Sequence, residues 1–170
     1  MNHDPEIIRE LESLPIVEWE GAVYRHVFGK LKPDRENTRG ARWNPPETSA
    51  IYCSLTRETA IAEGDHNIAL QPVRPTATRQ LYRINVRLAR VIDLSSWKRL
   101  KTFGITKKTF AETEFELTQA VGGAVERLRC DGMLVPSARH SGTNLVIFPR
   151  QSIIPDYFDP TSVETLSESE

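Results

Sequence analysis

No apolar run in this 170-residue chain approaches the roughly 20 residues that a membrane-crossing helix needs, so no integral membrane protein is expected. Cysteine is scarce. Cys53 and Cys130 allow one bridge at most, and both sit beside apolar segments, where buried reduced thiols are the plainer reading. Neither sign of charge is in excess. With 22 Lys and Arg against 23 Asp and Glu, the chain lacks the basic surplus of a general nucleic-acid binder, and no direct nucleic-acid binding is expected. Asp4, Glu6, Arg9, Glu10 and Glu12 leave no room for a secretory apolar core at the N-terminus. The expected compartment is therefore the cytoplasm.

Familiar chemical motifs are missing too. There is no GxxxxGKS or GxxxxGKT loop, and Gly122-Gly123 fall inside a helical pattern rather than in a strand-to-helix turn. His3, His26, His66 and His140 are dispersed without HExxH or paired CxxC spacing, so no metal is expected. No GxSxG elbow occurs, and Ser137 with His140, three residues apart, does not fix a nucleophile against a base.

What the chain does have is alternating short periodic segments. Residues 5–14 carry apolar residues at 7, 8, 11 and 14, a helical stripe opened by Pro5 and stopped by Pro15. Residues 22–28 alternate as a strand, with Val23, Arg25 and Val27 on one face. Residues 29–49, rich in Pro, Gly and polar side chains, form a long loop, a kind that often carries function. Residues 50–54 read as a buried strand, and Thr56 caps a helix running to about Ala69. Residues 80–88 alternate cleanly and continue into Val91–Leu94. Lys98, Arg99, Lys101, Lys107 and Lys108 make a local basic cluster. A helix over about 113–129 puts Leu117, Ala120, Val121, Ala124, Val125 and Leu128 on one stripe. Short strands follow at 133–135 and 144–148, the latter expected to be the last, and the Ser/Glu-rich tail is expected to be disordered. Strands outnumber helices without strict alternation, which predicts an α+β domain.

Four segments stand out together: Tyr24-Arg25; Gly40-Ala41-Arg42-Trp43-Asn44-Pro45; Ile51-Tyr52-Cys53-Ser54 with Thr59-Ala60-Ile61-Ala62-Glu63; and Val135-Pro136-Ser137-Ala138 with Asn144-Leu145-Val146-Ile147. Their order and spacing resemble the RES-domain family over roughly residues 20–150. The resemblance sets a family core of about 20–150 inside the single domain that the chain length allows, expected over 1–160, with 161–170 an acidic tail. It also implies an ADP-ribosyltransferase-like fold, a split of two small twisted sheets with flanking helices around a cleft that holds NAD+. The implied activity is that of a toxin in a toxin–antitoxin module, cleaving the nicotinamide–ribose bond by hydrolysis, phosphorolysis or ADP-ribosyl transfer to a protein acceptor. The implied partner is an Xre-type antitoxin. By the same resemblance, Glu63, Arg25 and Ser137 become catalytic, and Arg42, Tyr52 and Asn144 bind substrate.

These residue types suit that chemistry. Cleavage at the ribose C1 develops positive charge, and nicotinamide leaves without help from an acid. A fixed Glu63 carboxylate would stabilise that charge electrostatically. Arginine forks meet phosphates bidentately, and a guanidinium in an apolar strand needs a phosphate or a carboxylate as partner. Tyr52 can stack on nicotinamide, and Ser137 can orient Glu63. Taken singly, each also has a plain structural role: Arg25 on a wet strand face, Arg42 as a solvated loop cation, Tyr52 in the core, Glu63 on a solvent-facing helix, Ser137 in a turn. Two other functions stay open, a nucleic-acid-directed toxin using the 97–108 cluster and a non-catalytic NAD-binding domain.

Overall fold

A computed structural model describes residues 4–73, 76–111 and 114–167. Helix α1 (Pro5–Glu12) starts where the Asp4 side chain accepts from the Glu6 N–H. Strand β1 (Ile16–Phe28) is longer than the 22–28 segment expected. Its first residues are largely exposed, so ladder pairing rather than an apolar face defines them. The loop after β1 leads to β2 (Ile51–Ser54) and α2 (Arg57–Ala69), the latter capped by Thr56 as its sequence predicts. Next come β3 (Arg79–Asp93), the short helices α3 (Trp97–Lys101) and α4 (Lys107–Phe110), α5 (Glu116–Arg127), β4 (Gly132–Pro136) and β5 (Thr143–Ile147). Helix α5 begins at Glu116, and Glu112 and Thr113 lie outside the described residues. Leu117, expected on its inner stripe, is exposed, whereas Thr118, Val121, Gly122 and Val125 are buried.

The chain does not end its regular structure at Pro149 or Pro155. A 3₁₀ turn (Pro149–Gln151) leads to β6 (Phe158–Leu166), so β5 is not the last strand. The expected tail is instead a ladder along Arg79–Val86 of β3, and Glu164 pairs with Arg57 of α2. Its polar composition misled because this edge strand is held by main-chain bonds, with only Leu166 buried. The expectation for 168–170 lies outside the described residues.

The strands form one sheet in the order β1-β2-β5-β4-β3-β6, and β1 also pairs with β3. The sheet therefore closes into a small barrel instead of splitting into two. The cause is the length of β3. One of its edges runs along β1 from Arg79 to Ile92, while its other edge is shared by β6 and, at Val91–Asp93, by β4 in parallel. The weak point of the ring is the β1–β2 seam, paired only at Tyr24↔Ser54.

Alternation along the strands sorts side chains between two cores. Val23, Ile51, Cys53, Ile84, Val86, Leu88, Leu145 and Ile147 pack together inside the barrel. Met133, Val135 and Val146 face outward and meet Ile7 and Leu11 of α1 and Val121 and Val125 of α5. By the same two-residue period, Tyr52 and Ser54, Asn144, and Ser137 just beyond β4 belong to the outer face. Both cysteines are free and buried, and burial pushes each thiol up to about 11. Among the described residues no helix is long and apolar enough to cross a membrane.

Candidate functional site

A cavity of about 430 Å³ opens on the outer face beside the β1–β2 seam, lined by residues of β1, the 29–49 loop, β2, α2 and the turn after β4. That volume is typical of a small-molecule site. Glu63 lies in the middle of α2. Its Oε1 accepts from Ser137 Oγ–H at 2.6 Å and from Asn144 Nδ2–H at 2.9 Å. Asn144 is oriented in turn by Ser54, whose hydroxyl donates to its Oδ1 at 2.8 Å. Ser137 is fixed from the other side, because its Oγ accepts from the Arg139 and His140 N–H groups. Two donors from the end of the chain thus meet one oxygen of a carboxylate more than 70 residues upstream. Oε2 has no hydrogen-bond partner among the described residues.

The helix that carries Glu63 is pressed onto β1. A Cβ on Gly64 would lie 2.6–2.8 Å from three His26 ring atoms, so only glycine permits this approach. His26 Nε2 accepts from Arg79 Nε at 2.9 Å, and Arg79 also pairs with Asp65 of α2 at 2.7 Å. Burial, then the Arg79 charge, lowers the His26 pKa to about 4, which keeps the ring a neutral acceptor.

The long loop is anchored at several points. Asn44 donates to the Asn37 and Thr48 carbonyls, and Tyr52 O–H donates to Asn44 Oδ1 at 2.6 Å while accepting from the Trp43 N–H. Burial raises the Tyr52 pKa, so the phenol stays protonated. Helix α5 grips the same loop through Thr118 and Gln119, which donate to the Arg42 and Ala41 carbonyls. A Cβ on Gly122 would stand 1.6 Å from the Trp43 carbonyl oxygen, so helix and loop backbone touch directly. Arg42 is thereby placed between the Phe110 and Phe115 rings, 4.6 and 4.7 Å from their centroids, with Nη1 donating to Phe110 O at 2.7 Å. Burial lowers its pKa, Arg139 adds to the lowering, and the nearby Glu63 charge opposes it.

All six residues singled out from the sequence adjoin this hollow or its hydrogen-bond network. Glu63, Ser137 and Asn144 form one cluster, and Arg42 and Tyr52 line the loop side. Arg25 has backbone partners of its own. It lines the cavity, and Nη1 donates to Tyr52 O at 2.7 Å and Nη2 to Arg35 O at 3.0 Å. Two of its nitrogens thus find backbone carbonyls at the thin seam, while its buried Nε has no hydrogen-bond partner among the described residues. Sequence reasoning missed Ser54, Phe115 and Arg139. Ser54 had a signal, since it lies two residues from Tyr52 on one strand and must share its face. None of the cations in the 98–108 cluster lines the cavity. Among the described residues no group of three His, Cys, Asp or Glu side chains could hold a metal ion.

Fold and cavity together define a class: a mixed α+β barrel domain with a braced carboxylate on its outer face. The RES domain profile matches residues 18–162, and the chain belongs to the RES domain family. Curated relatives include the NAD(+) phosphorylase MbcT of Mycobacterium tuberculosis and of Mycobacterium bovis. Each is 27% identical over 154 residues, covering 85% of this chain and 81% of the relative. Among solved structures, the M. tuberculosis MbcT–MbcA toxin–antitoxin complex contains a chain with the same fold. Its TM-score is 0.85 at 24% identity, with 96% of this chain and 93% of that one covered.

Proposed function

We propose that this protein degrades NAD+ by breaking the bond between nicotinamide and ribose, with inorganic phosphate as the acceptor, and that it is the toxic half of a toxin–antitoxin pair. The barrel is read as a variant of the ADP-ribosyltransferase arrangement, with the seam cavity as its dinucleotide cleft. The observation that carries the proposal is the Glu63 carboxylate: one oxygen is braced by Ser137 and Asn144, and the other is left to a ribose hydroxyl. The family relatives named NAD(+) phosphorylase supply the substrate class and favour phosphate over water or a protein side chain.

In this reading the C1–N bond breaks with its electron pair leaving on nicotinamide, which departs neutral. Positive charge accumulates on the ribose next to Glu63. A hydrogenphosphate oxygen then bonds to C1, giving nicotinamide and an ADP-ribosyl phosphate ester. The protein supplies charge placed in advance rather than a proton. Arg42, packed against two phenyl rings, presents its remaining donors to the pyrophosphate, and Tyr52 offers a ring wall for nicotinamide. An antitoxin, of the Xre type in this reading, would cover the cavity mouth; the solved neighbour is itself part of a toxin–antitoxin complex.

The test is incubation of purified protein with NAD+, with and without phosphate, followed by mass spectrometry. Nicotinamide plus ADP-ribosyl phosphate supports the reading. Free ADP-ribose or protein-linked ADP-ribose would reassign the acceptor. Intact NAD+ would end the proposal, and intact NAD+ with degraded RNA would favour the nucleic-acid-directed alternative.

A further inference from the structure

A second chamber of about 300 Å³ adjoins the Glu63 cavity, and Arg25, His26, Asn37 and Asn67 line both. Its floor includes apolar Val27, Phe28 and Leu31, the last exposed despite its size. Its rim carries Lys32, Arg35 and Arg39. Although the whole chain carries −1, this wall holds four cations with Arg25 against one acid, Glu36, whose carboxylate faces Arg150 at 3.9 Å. Among the described residues the Lys32, Arg35 and Arg39 side chains make no ion pair or hydrogen bond. The loop beneath them is nonetheless fixed. Asn37 Oδ1 accepts from the Arg39 and Gly40 N–H groups, and Asn37 pairs with Ala50 across an isolated bridge.

Unpaired cations held over an apolar floor, beside a site read as dinucleotide-cleaving, match one chemistry. A flat base covers the apolar surface while phosphates meet the guanidinium and ammonium groups. We propose that this chamber is the subsite for the adenosine half of the substrate, and that Lys32, Arg35 and Arg39 read phosphate on that half. A dinucleotide carrying an extra phosphate on its adenosine ribose, NADP+, is then a substrate at least as well bound as NAD+. Arginine beside an adenosine ribose is a general means of accepting a 2′-phosphate. This inference rests on the proposed NAD+ cleavage for its substrate, yet the chamber can be probed without turnover.

The experiment compares the wild-type chain with a Lys32→Gln/Arg39→Gln double variant. Adenosine 2′,5′-bisphosphate binding is measured by calorimetry at low salt, and KM and kcat are measured for NAD+ and NADP+. Both substitutions lie on exposed side chains and leave the Arg25–Arg35 carbonyl bond in place. The expected result is bisphosphate binding to the wild type, weakened roughly tenfold or more in the variant. The variant's KM for NADP+ should rise by a similar factor, with kcat unchanged and the KM for NAD+ moved less. No bisphosphate binding to the wild type, or equal binding to both proteins, overturns the subsite, as does NAD+ cleavage with NADP+ rejected. If the bisphosphate binds and the variant loses it while neither dinucleotide is cleaved, the subsite stands and the proposed reaction falls.

Discussion

Replacing Glu63 by glutamine separates charge from shape at the centre of the site. Both hydrogen bonds that brace this side chain, from Ser137 and from Asn144, end on the same oxygen. A glutamine can place its carbonyl oxygen there and keep both donors satisfied, with its amide nitrogen at the Oε2 position. The fold should register the change only modestly. Two charge-assisted bonds become ordinary ones, a loss of about 1–2 kcal/mol that lowers Tm by about 2–8 °C in a chain of this size. The reaction should register it strongly, because the negative charge facing the ribose is gone. A charge placed in advance at a reacting centre is worth roughly 3–4 kcal/mol, so kcat for nicotinamide release should fall about 10²–10³-fold with KM changed by less than about threefold. Stopped-time chromatography of nicotinamide, alongside a thermal melt, reads both quantities. A kcat within about threefold of wild type would refute the electrostatic role. A large drop in Tm with activity lost in proportion would instead make the carboxylate structural.

Three other perturbations probe the frame around it. Arg25→Ala leaves the Tyr52 and Arg35 carbonyls without their donor at the thinnest seam of the barrel and should cost about 2–4 kcal/mol, seen as a Tm lower by about 5–15 °C. An unchanged Tm with a raised KM would mean that this guanidinium serves substrate instead. Gly122→Ala drives a methyl into the Trp43 carbonyl and should destabilise by about 3 kcal/mol or more in denaturant titration, and a cost under about 1 kcal/mol would contradict that helix–loop contact. His26 has its folded pKa depressed from 6.5 to about 4, so the unfolded chain binds the extra proton first. Its contribution is full above pH 6.5 and lost as pH falls toward 4. His26→Gln, which can still accept from Arg79, should flatten the fall in Tm across that window, and an equally steep fall would remove His26 as the cause.

How much of this was legible in sequence depended on whether a signal was local. Thr56 capping α2, the alternation of β3 and the stop at Pro15 are properties of neighbouring residues, and the structure reproduces them. The closure of the sheet was not legible, because it rests on which edge of β3 meets β1, β4 and β6 over long sequence separations. Strand β6 escaped for a related reason: an exposed edge strand has no apolar alternation to betray it. At the site, the motif pattern pointed to Glu63, Ser137 and Asn144, but only the fold shows that they converge on one oxygen. Arg25 was rightly read as needing a partner. Backbone carbonyls at an irregular seam leave no trace in side-chain identity, so the two that Arg25 meets could not be foreseen, and its buried Nε has no partner among the described residues.

The most direct test of the account is a crystal structure of the Glu63→Gln variant with NAD+ bound. The account predicts the nicotinamide ribose in the seam cavity, with one of its hydroxyls within hydrogen-bonding distance of the residue-63 side chain and the reactive carbon open to solvent phosphate. A dinucleotide bound with its nicotinamide ribose away from that side chain, or seated elsewhere on the protein, would contradict it.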